Sequence, residues 1–516
     1  MYLADVVSGK NYYLLLVIPE DKMDYKQKYD KNDASFTMVA VSTAILVSKS
    51  DADETEYDPF EHRSLRHATT DFETLVHLMK GSLGSGILSM PLAFLNAGLL
   101  CGLIATCVVG VICTYCVQTL VKCSHILCKR SKVPTLSFSE TAKTAFLMGP
   151  PILHKFSGFA AGCINTLLVI DLLGCCCVYN VFVARNIQQV VEFYIVKDWQ
   201  FQYYLLIMAP LLILINWVRD LKYLAIFSLL ANILLTVGLG ITFYYIFSDL
   251  PPIIHSGLPQ FSSWEQLPLF FGTAIFALEG IGVVMPLANK MKTPAHFVGC
   301  PGVLNIGMTI VVALYVSVGF FGYLKYGSTT QANITLNLPT SEVLAQLVKI
   351  KIAVAIFFTY ALQFYVPFEV IWNASKHYFG SYRLLAEYAL RTVLVLCTVG
   401  VAAAVPNIGP FISLVGAVSL STMGIIFPAI IELATFWDSP GLGTCYWHLW
   451  KNILIIMFGV LGFATGTWSS LKEIIVTFSQ FVHHCDHMIN ISAALNLVKN
   501  GNCMYNFLLA IIGDTI

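Results

Sequence analysis

Residues 77–93 read His77-Leu78-Met79-Lys80-Gly81-Ser82-Leu83-Gly84-Ser85-Gly86-Ile87-Leu88-Ser89-Met90-Pro91-Leu92-Ala93. The stretch sits in an apolar run from about 72 to 97, yet Gly81, Gly84 and Gly86 fall within six residues and Pro91 follows. Each glycine costs about 1 kcal/mol of helix propensity relative to alanine, so a helix is expected to break here. Unwound backbone at membrane depth is tolerated only where it is buried in protein or lines a cavity. The stretch therefore predicts a broken membrane helix.

Composition agrees. Apolar residues make up 57% of the 516 and charged residues 12%, against roughly 25% charged in a soluble chain. Exchanging the 24 Tyr for the 35 Gly brings the apolar share to about 59%, against ~45–50% for soluble chains on that basis. So few charges cannot cover a soluble surface of this size. Disordered, disulfide-rich and nucleic-acid-binding classes are excluded as well, and a net charge of zero offers nothing to a polyanion. The 15 cysteines fall mostly inside apolar stretches, as in Cys175-Cys176-Cys177, where they act as small packing residues. His125 between Cys123 and Cys128 does not complete a zinc-ligand spacing. No metal is expected, and Tyr12 to Ile18 is too short for a cleavable signal peptide.

Working outward, residues 1–71 read as a cytosolic tail and 72–471 as the transmembrane domain. Residues 472–516 form a second tail with no assigned structure. Apolar spans are expected at about 72–97, 99–121, 154–184, 202–218, 221–247, 266–289, 302–324, 343–373, 386–405, 409–436 and 449–471. With the amino terminus inside, twelve Lys and Arg fall in inward connections, among them Lys129, Arg130, Lys290, Lys292 and Arg383. Arg185, Lys197 and Lys325 fall outside. That is the cytosolic bias of polytopic proteins. Asn333-Ile334-Thr335 then lies in an outward loop, where a glycan on Asn333 is expected.

The sixth span repeats the feature of the first: Glu279-Gly280-Ile281-Gly282 lies mid-span, with Pro286 beyond. These are the first spans of two five-span halves, and matched interruptions of this kind point to a transporter's binding site. Helix amino termini at such breaks present unpaired N–H groups and a positive dipole end to a carboxylate. The bland alternative is close helix packing through small residues.

The 77–93 stretch resembles the first helix of the proton-coupled amino acid transporters, of the amino acid/auxin permease group. Glu279-Gly280-Ile281-Gly282, Cys177-Val178-Tyr179 and Tyr57-Asp58-Pro59-Phe60-Glu61-His62-Arg63 are similar to that family too, the last most like its insect members. The resemblance covers about residues 57–471. It implies an all-α polytopic membrane protein of eleven helices, with helices 1 and 6 broken in a LeuT-like five-plus-five inverted repeat. It also implies amino-acid transport driven by protons, and it carries a proton-coupling histidine onto His77. Ser82 stands where mammalian relatives have Asn, and Asp171 where a neutral polar residue is expected. Loops 185–201 and 325–341 lack the cysteines that related animal transporters join.

The expected protein is a secondary transporter of small neutral amino acids, symporting protons by alternating access, without cofactor, metal or catalytic residue. Its partners are the amino acid, protons and the lipid bilayer, and no nucleic acid. The substrate carboxylate is expected at Ser82, Leu83, Gly84, Ser85 and Gly86. Its ammonium is expected at Ala277, Leu278, Glu279 and Gly280, with Phe276 as a wall. A charge at the bilayer centre costs roughly 2.5–3.5 kcal/mol and needs a partner or a role, which singles out Lys80, Asp171 and Glu279. Histidine changes charge between about pH 5 and 8, which suits His77 to proton coupling. Glu73, four residues earlier, is on its face of the helix. Glu279 is the rival, since a carboxyl in apolar surroundings is driven toward its neutral form. Glu369, after Pro367, reads as structural. A facilitator or a non-transporting amino-acid sensor would use the same residues, in the plasma membrane or a lysosomal or late endosomal membrane.

Overall fold

The structure, a computed structural model, describes residues 2–8, 11–17, 57–60, 62–63, 68–82, 84–195, 199–219, 221–252, 257–278, 280–299, 301–405, 407–438 and 441–499. Residues 2–8, 11–17, 221–226, 228, 281, 283, 381, 444, 478 and 480–499 are described by backbone alone. Residues 1–56 and 57–516 are separate units. In the first, strands β1 (Tyr2–Ser8) and β2 (Asn11–Val17) pair antiparallel with Tyr2 opposite Val17, where only a polar tail was expected.

The second unit is nearly all helix. In chain order it contains α1 (Asp71–Ser82), α2 (Gly86–Ala97), α3 (Leu99–Ser131), α4 (Phe138–Met148), α5 (Ser157–Tyr194) and α6 (Phe201–Asn216). Next come α7 (Leu221–Phe247), α8 (Leu267–Ala277), α9 (Ile281–Lys290), α10 (Val303–Tyr326), α11 (Val343–Ser375) and α12 (Arg383–Ala404). Helix α13 (Ile408–Val415) then runs through a π-helical stretch, Gly416–Ile426, into α14 (Phe427–Thr435), and α15 spans Trp447–Lys499. Among the described residues eight helices are long and apolar enough to cross a membrane. Helices α1 and α2, bent by 54°, make a ninth as one broken span. Helices α6 and α8 are apolar but shorter, so eleven crossings require α6 to cross alone and α8 to cross together with α9. The 53 residues of α15 extend about 80 Å at 1.5 Å per residue, far beyond a ~30 Å hydrocarbon core. Residues 472–499, unassigned by sequence, thus continue the last span.

Local chemistry sets the helix starts. At α1 the Thr70 backbone N–H donates to Glu73 Oε2 at 2.9 Å and the Glu73 N–H donates to Thr70 Oγ1 at 3.3 Å. Ser137 and Glu140 do the same at α4. These reciprocal caps satisfy N–H groups that have no partner within the helix.

The helices sort into two groups. Helices α1, α2, α3, α8 and α10 pack on one another; α5, α6, α11 and α12 form the second group, with α7 against α11. The partition recurs along the chain: a broken pair and its follower (α1–α2 and α3, then α8–α9 and α10) belong to the first group. The next helices (α5 and α6, then α11 and α12) belong to the second. Lipid offers no hydrophobic drive for helices to associate, so close approach through small residues matters. On α10, a Cβ at Gly319 would come 2.4 Å from the Phe94 ring, and one at Gly322 2.6 Å from Pro91. Leu78 fits against Gly307 in the same way. Helix α2 is thereby seated on α10 along its length.

Asn333 lies between α10 and α11, in a loop tied to α5. Its Oδ1 accepts the Thr335 N–H at 2.9 Å, and the Thr335 hydroxyl donates to Asn186 Oδ1 at 2.7 Å. Asn333 is fully buried, and so is its Nδ2, the atom a glycan would occupy. In this arrangement Nδ2 has no room for a sugar, and the sequon residues hold the loop against α5. We expect glycosidase treatment of the protein from a eukaryotic host to leave the same mobility in wild type and Asn333→Gln. A mobility shift confined to wild type would mean that the loop folds otherwise.

Candidate functional site

The two helix breaks meet. A Cβ on Gly86, the first residue of α2, would lie 2.5 Å from Ala277 Cα at the end of α8. A Cβ on Gly280 would lie 3.0 Å from Ser82 Oγ at the end of α1. Two helix amino termini and two carboxyl termini therefore converge. Each amino terminus has N–H groups, and each carboxyl terminus carbonyls, without an intrahelical partner. At α1 one carbonyl is answered: the Tyr315 hydroxyl on α10 donates to Ser82 O.

A cavity of about 210 Å³ lies at this junction. One wall is Gly81, Ser82, Gly84, Ser85 and Gly86 from the first break, with Phe276, Ala277, Gly280 and Gly282 from the second. The other wall is Leu168, Leu172, Cys175 and Tyr179 of α5 with Leu362, Gln363 and Val366 of α11. The cavity thus separates the two helix groups. Its volume falls under the roughly 300–1,000 Å³ of sites for drug-sized ligands, which suits a smaller one. Ser82 Oγ is buried there without a hydrogen-bond partner among the described residues, a state that costs about 1–3 kcal/mol unless a partner is supplied.

Of the residues expected at the substrate, Ser82, Gly84, Ser85, Gly86, Phe276, Ala277 and Gly280 line the cavity. Leu278 is buried beside it and outside its lining. Leu83 and Glu279 lie outside the described residues. Asp171 is fully buried and engaged in a polar or electrostatic contact, one residue off the α5 face that lines the cavity. His77 and Lys80 are elsewhere, on the wall of a second cavity of about 740 Å³ that shares Gly81, Gly84, Ser85 and Tyr179 with the first. This vestibule reaches Thr135, Ser137 and Glu140, at the end that the Lys and Arg distribution places inside. Glu73, the expected partner of His77, instead spends its carboxylate on the Thr70 cap.

The motif Tyr57–Arg63 lies at the same inward end. Arg63 Nε donates to Pro134 O at 2.9 Å and Nη1 to Ala288 O at 3.2 Å, with the Phe60 ring beneath the guanidinium. Burial lowers the Arg63 pKa from its ordinary value. Next to it, Thr69 bridges to Met291 through backbone bonds, while Asp71 accepts from Thr293 Oγ1 and pairs with His296 Nδ1 at 2.8 Å. The inner ends of α1 and α9 are joined.

A model of the family described as transmembrane amino acid transporter protein matches residues 67–472. The chain belongs to this family. It is 45% identical over 424 residues to the Drosophila melanogaster proton-coupled amino acid transporter-like protein pathetic, covering 82% of this chain and 89% of that protein. It is 26% identical over 423 residues to the Caenorhabditis elegans probable amino acid transporter skat-1, covering 80% and 91%. Among solved structures it is similar to inward-facing Mhp1, with a TM-score of 0.45 at 11% identity over 85% of this chain and 95% of that one. The chain is thus a multi-pass membrane transporter of the amino acid transporter family, not an enzyme.

For a transporter of this family the second wall is as informative as the breaks. Gln363 brings a side-chain amide into the cavity, and sequence reading passed over it. A single Gln within Tyr360-Ala361-Leu362-Gln363-Phe364 was the signal available. The α5 contribution had a weaker one, since Leu168, Leu172 and Cys175 look like any lipid-facing or core residues.

The geometry separates two glycines that the sequence treats alike. A Cβ at Gly84 would find only Tyr179 Oη, 4.0 Å away, whereas one at Gly86 runs into Ala277 backbone. We expect Gly84→Leu to purify as a monodisperse, folded protein and to lose uptake, its side chain filling the cavity. Gly86→Ala should be less stable by about 1–3 kcal/mol, the usual cost of overpacking, and melt earlier. Normal uptake by Gly84→Leu would show that this glycine serves packing alone.

Proposed function

We propose that the chain moves small neutral amino acids together with protons, by alternating access around the cavity at the two breaks. The observation that carries the reading is the convergence of four helix termini on a space of about 210 Å³. An α-carboxylate fits the N–H groups at the start of α2, from Ser85 to Gly86, with Ser82 Oγ as a side-chain donor. An α-ammonium fits the carbonyls released at the end of α8, around Ala277. These are the electrostatic preferences of helix ends. Phe276, Leu168 and Leu172 then face the side chain, and the small apolar remainder favours a short neutral one. Leu83, Leu278, Glu279 and Gly280 complete the set in this reading, within eleven crossings arranged as an inverted five-plus-five repeat.

His77 is the proposed proton carrier. It stands about one helical turn before the break, exposed on the vestibule wall, where a proton taken up with substrate can leave to the inward solution. Lys80 lines the same wall. Glu279 is the rival carrier, and the buried Asp171 a further one. The relative from Drosophila is named as proton-coupled, which supports the choice of ion.

Two pH units are worth about 2.7 kcal/mol per proton, enough for roughly hundredfold accumulation at one proton per substrate. In proteoliposomes, uptake of a labelled small neutral amino acid should rise as external pH falls from about 7.5 to 5.5, without sodium. His77→Ala should flatten that dependence. A wild-type pH profile in the variant would move the role to Glu279. Uptake flat with pH in wild type would make the protein a facilitator, and binding without flux a sensor.

A further inference from the structure

A groove away from the transport path has one charged end. It lies between the carboxyl end of α6 and the first half of α12, encloses about 780 Å³, and is lined by Trp217, Leu385, Tyr388, Ala389, Thr392 and Val393. Its walls are mostly apolar, and the Trp217 indole N–H is already satisfied. Trp217 Nε1 donates to Thr392 Oγ1 at 3.1 Å, and the Trp217 ring meets Tyr388 edge-on at 5.5 Å. Leu385 and Val393 are 69% and 54% exposed, so the groove is open toward the bilayer. From Leu385 to Val393 it runs along eight residues of helix, about 12 Å. That is close to one leaflet of a ~30 Å core and too short for a partner helix that crosses the bilayer.

The inner end of the groove is cationic. Arg219, two residues beyond Trp217, holds Glu387 through both Nε at 3.1 Å and Nη2 at 2.9 Å. The same carboxylate also takes Arg391 Nη2 at 3.2 Å. Two guanidiniums therefore share one carboxylate, leaving one positive charge in excess, and the Arg219 side chain is half exposed. Segments 217–222 and 376–391 together hold five basic residues against Asp220 and Glu387. An apolar slot one leaflet deep, ending at a half-exposed guanidinium in a cluster with one positive charge in excess, matches an acyl chain joined to an anionic headgroup.

We propose that this groove is a binding site for an anionic phospholipid of the inner leaflet, its acyl chain along α12 and its phosphate at Arg219. The site is separate from the cavity at the helix breaks and independent of what the protein transports. Lipid there would bear on the packing of α6 against α12, both in the group of helices that forms the second wall of the cavity.

The test uses the full-length protein in mixed micelles and fluorescence quenching by dibrominated phosphatidylserine or dibrominated phosphatidylcholine. The part of the signal due to Trp217 is the difference between wild type and Trp217→Phe. That part should be quenched at about a fivefold lower mole fraction of the serine lipid, the preference expected of one excess positive charge. Arg219→Gln should erase the preference, and Ala389→Phe, which fills the groove without touching a charge, should remove the quenching by either lipid. Equal potency of the two lipids in wild type would overturn the proposal. So would a preference that survives Ala389→Phe, or quenching that is identical in Trp217→Phe.

Discussion

A backbone that leaves the helix at membrane depth must find substitutes for the hydrogen bonds it gives up, and this requirement organises the transporter. No water is available there, and each unsatisfied group costs several kcal/mol. The two breaks answer it by sharing one locality: Gly86 lies against Ala277, Gly280 against Ser82, and the Tyr315 hydroxyl takes the Ser82 carbonyl. At Gly86 only a residue without a side chain permits such contact, since a Cβ would lie 2.5 Å from Ala277 Cα. The remaining polar groups then border a space that something polar must fill.

Charge is handled by a different economy. Lys349 is fully buried, its Nζ donating to Gln189 Oε1 at 2.8 Å and Leu338 O at 2.9 Å. Lys451 meets both oxygens of the buried Glu432 at 2.7 and 2.9 Å, with Tyr115 as a further acceptor. Breaking a buried pair by removing one partner typically costs 3–5 kcal/mol, so these contacts lock helices in place. Lys349 joins α5, α11 and the outward loop; Lys451 joins α3, α14 and α15. The break region does without such locks on its described cavity wall and relies on helix termini, whose partial charges can be met by a ligand.

What sequence could reveal followed from how local each signal was. The glycine cluster at 81–86 and its echo at 280–282 are local in the chain, and both mark helix breaks that converge. Hydropathy located the eight long apolar helices and the first broken span, yet it ended the last at 471, because a helix that leaves the membrane loses its apolar periodicity while its backbone bonds continue. The π-helical stretch 416–426 left no trace, since a single extra residue in a turn has no compositional mark. Asn333 shows a related limit: a sequon is a three-residue pattern, while burial of Nδ2 goes with a contact to Asn186, some 150 residues away. Glu73 was assigned to His77 by spacing, but Thr70, three residues back, competes for the same carboxylate through a cap.

The inward end gains most from being read as a structure. The backbone bridge from Thr69 to Met291 and the Asp71–His296 pair join the inner halves of both broken spans. Arg63 adds the 132–137 connection to that joint through Pro134 O and Ala288 O. Helices tied by backbone bonds cannot part without losing those bonds, so α1 and α9 are constrained to move as one piece. The vestibule lies between that piece and the face of α5 and α11, with His77 on one side and Tyr179 and Gln363 on the other. Closing the vestibule would therefore bring His77 toward Tyr179 and Gln363, which the vestibule shares with the cavity at the helix breaks.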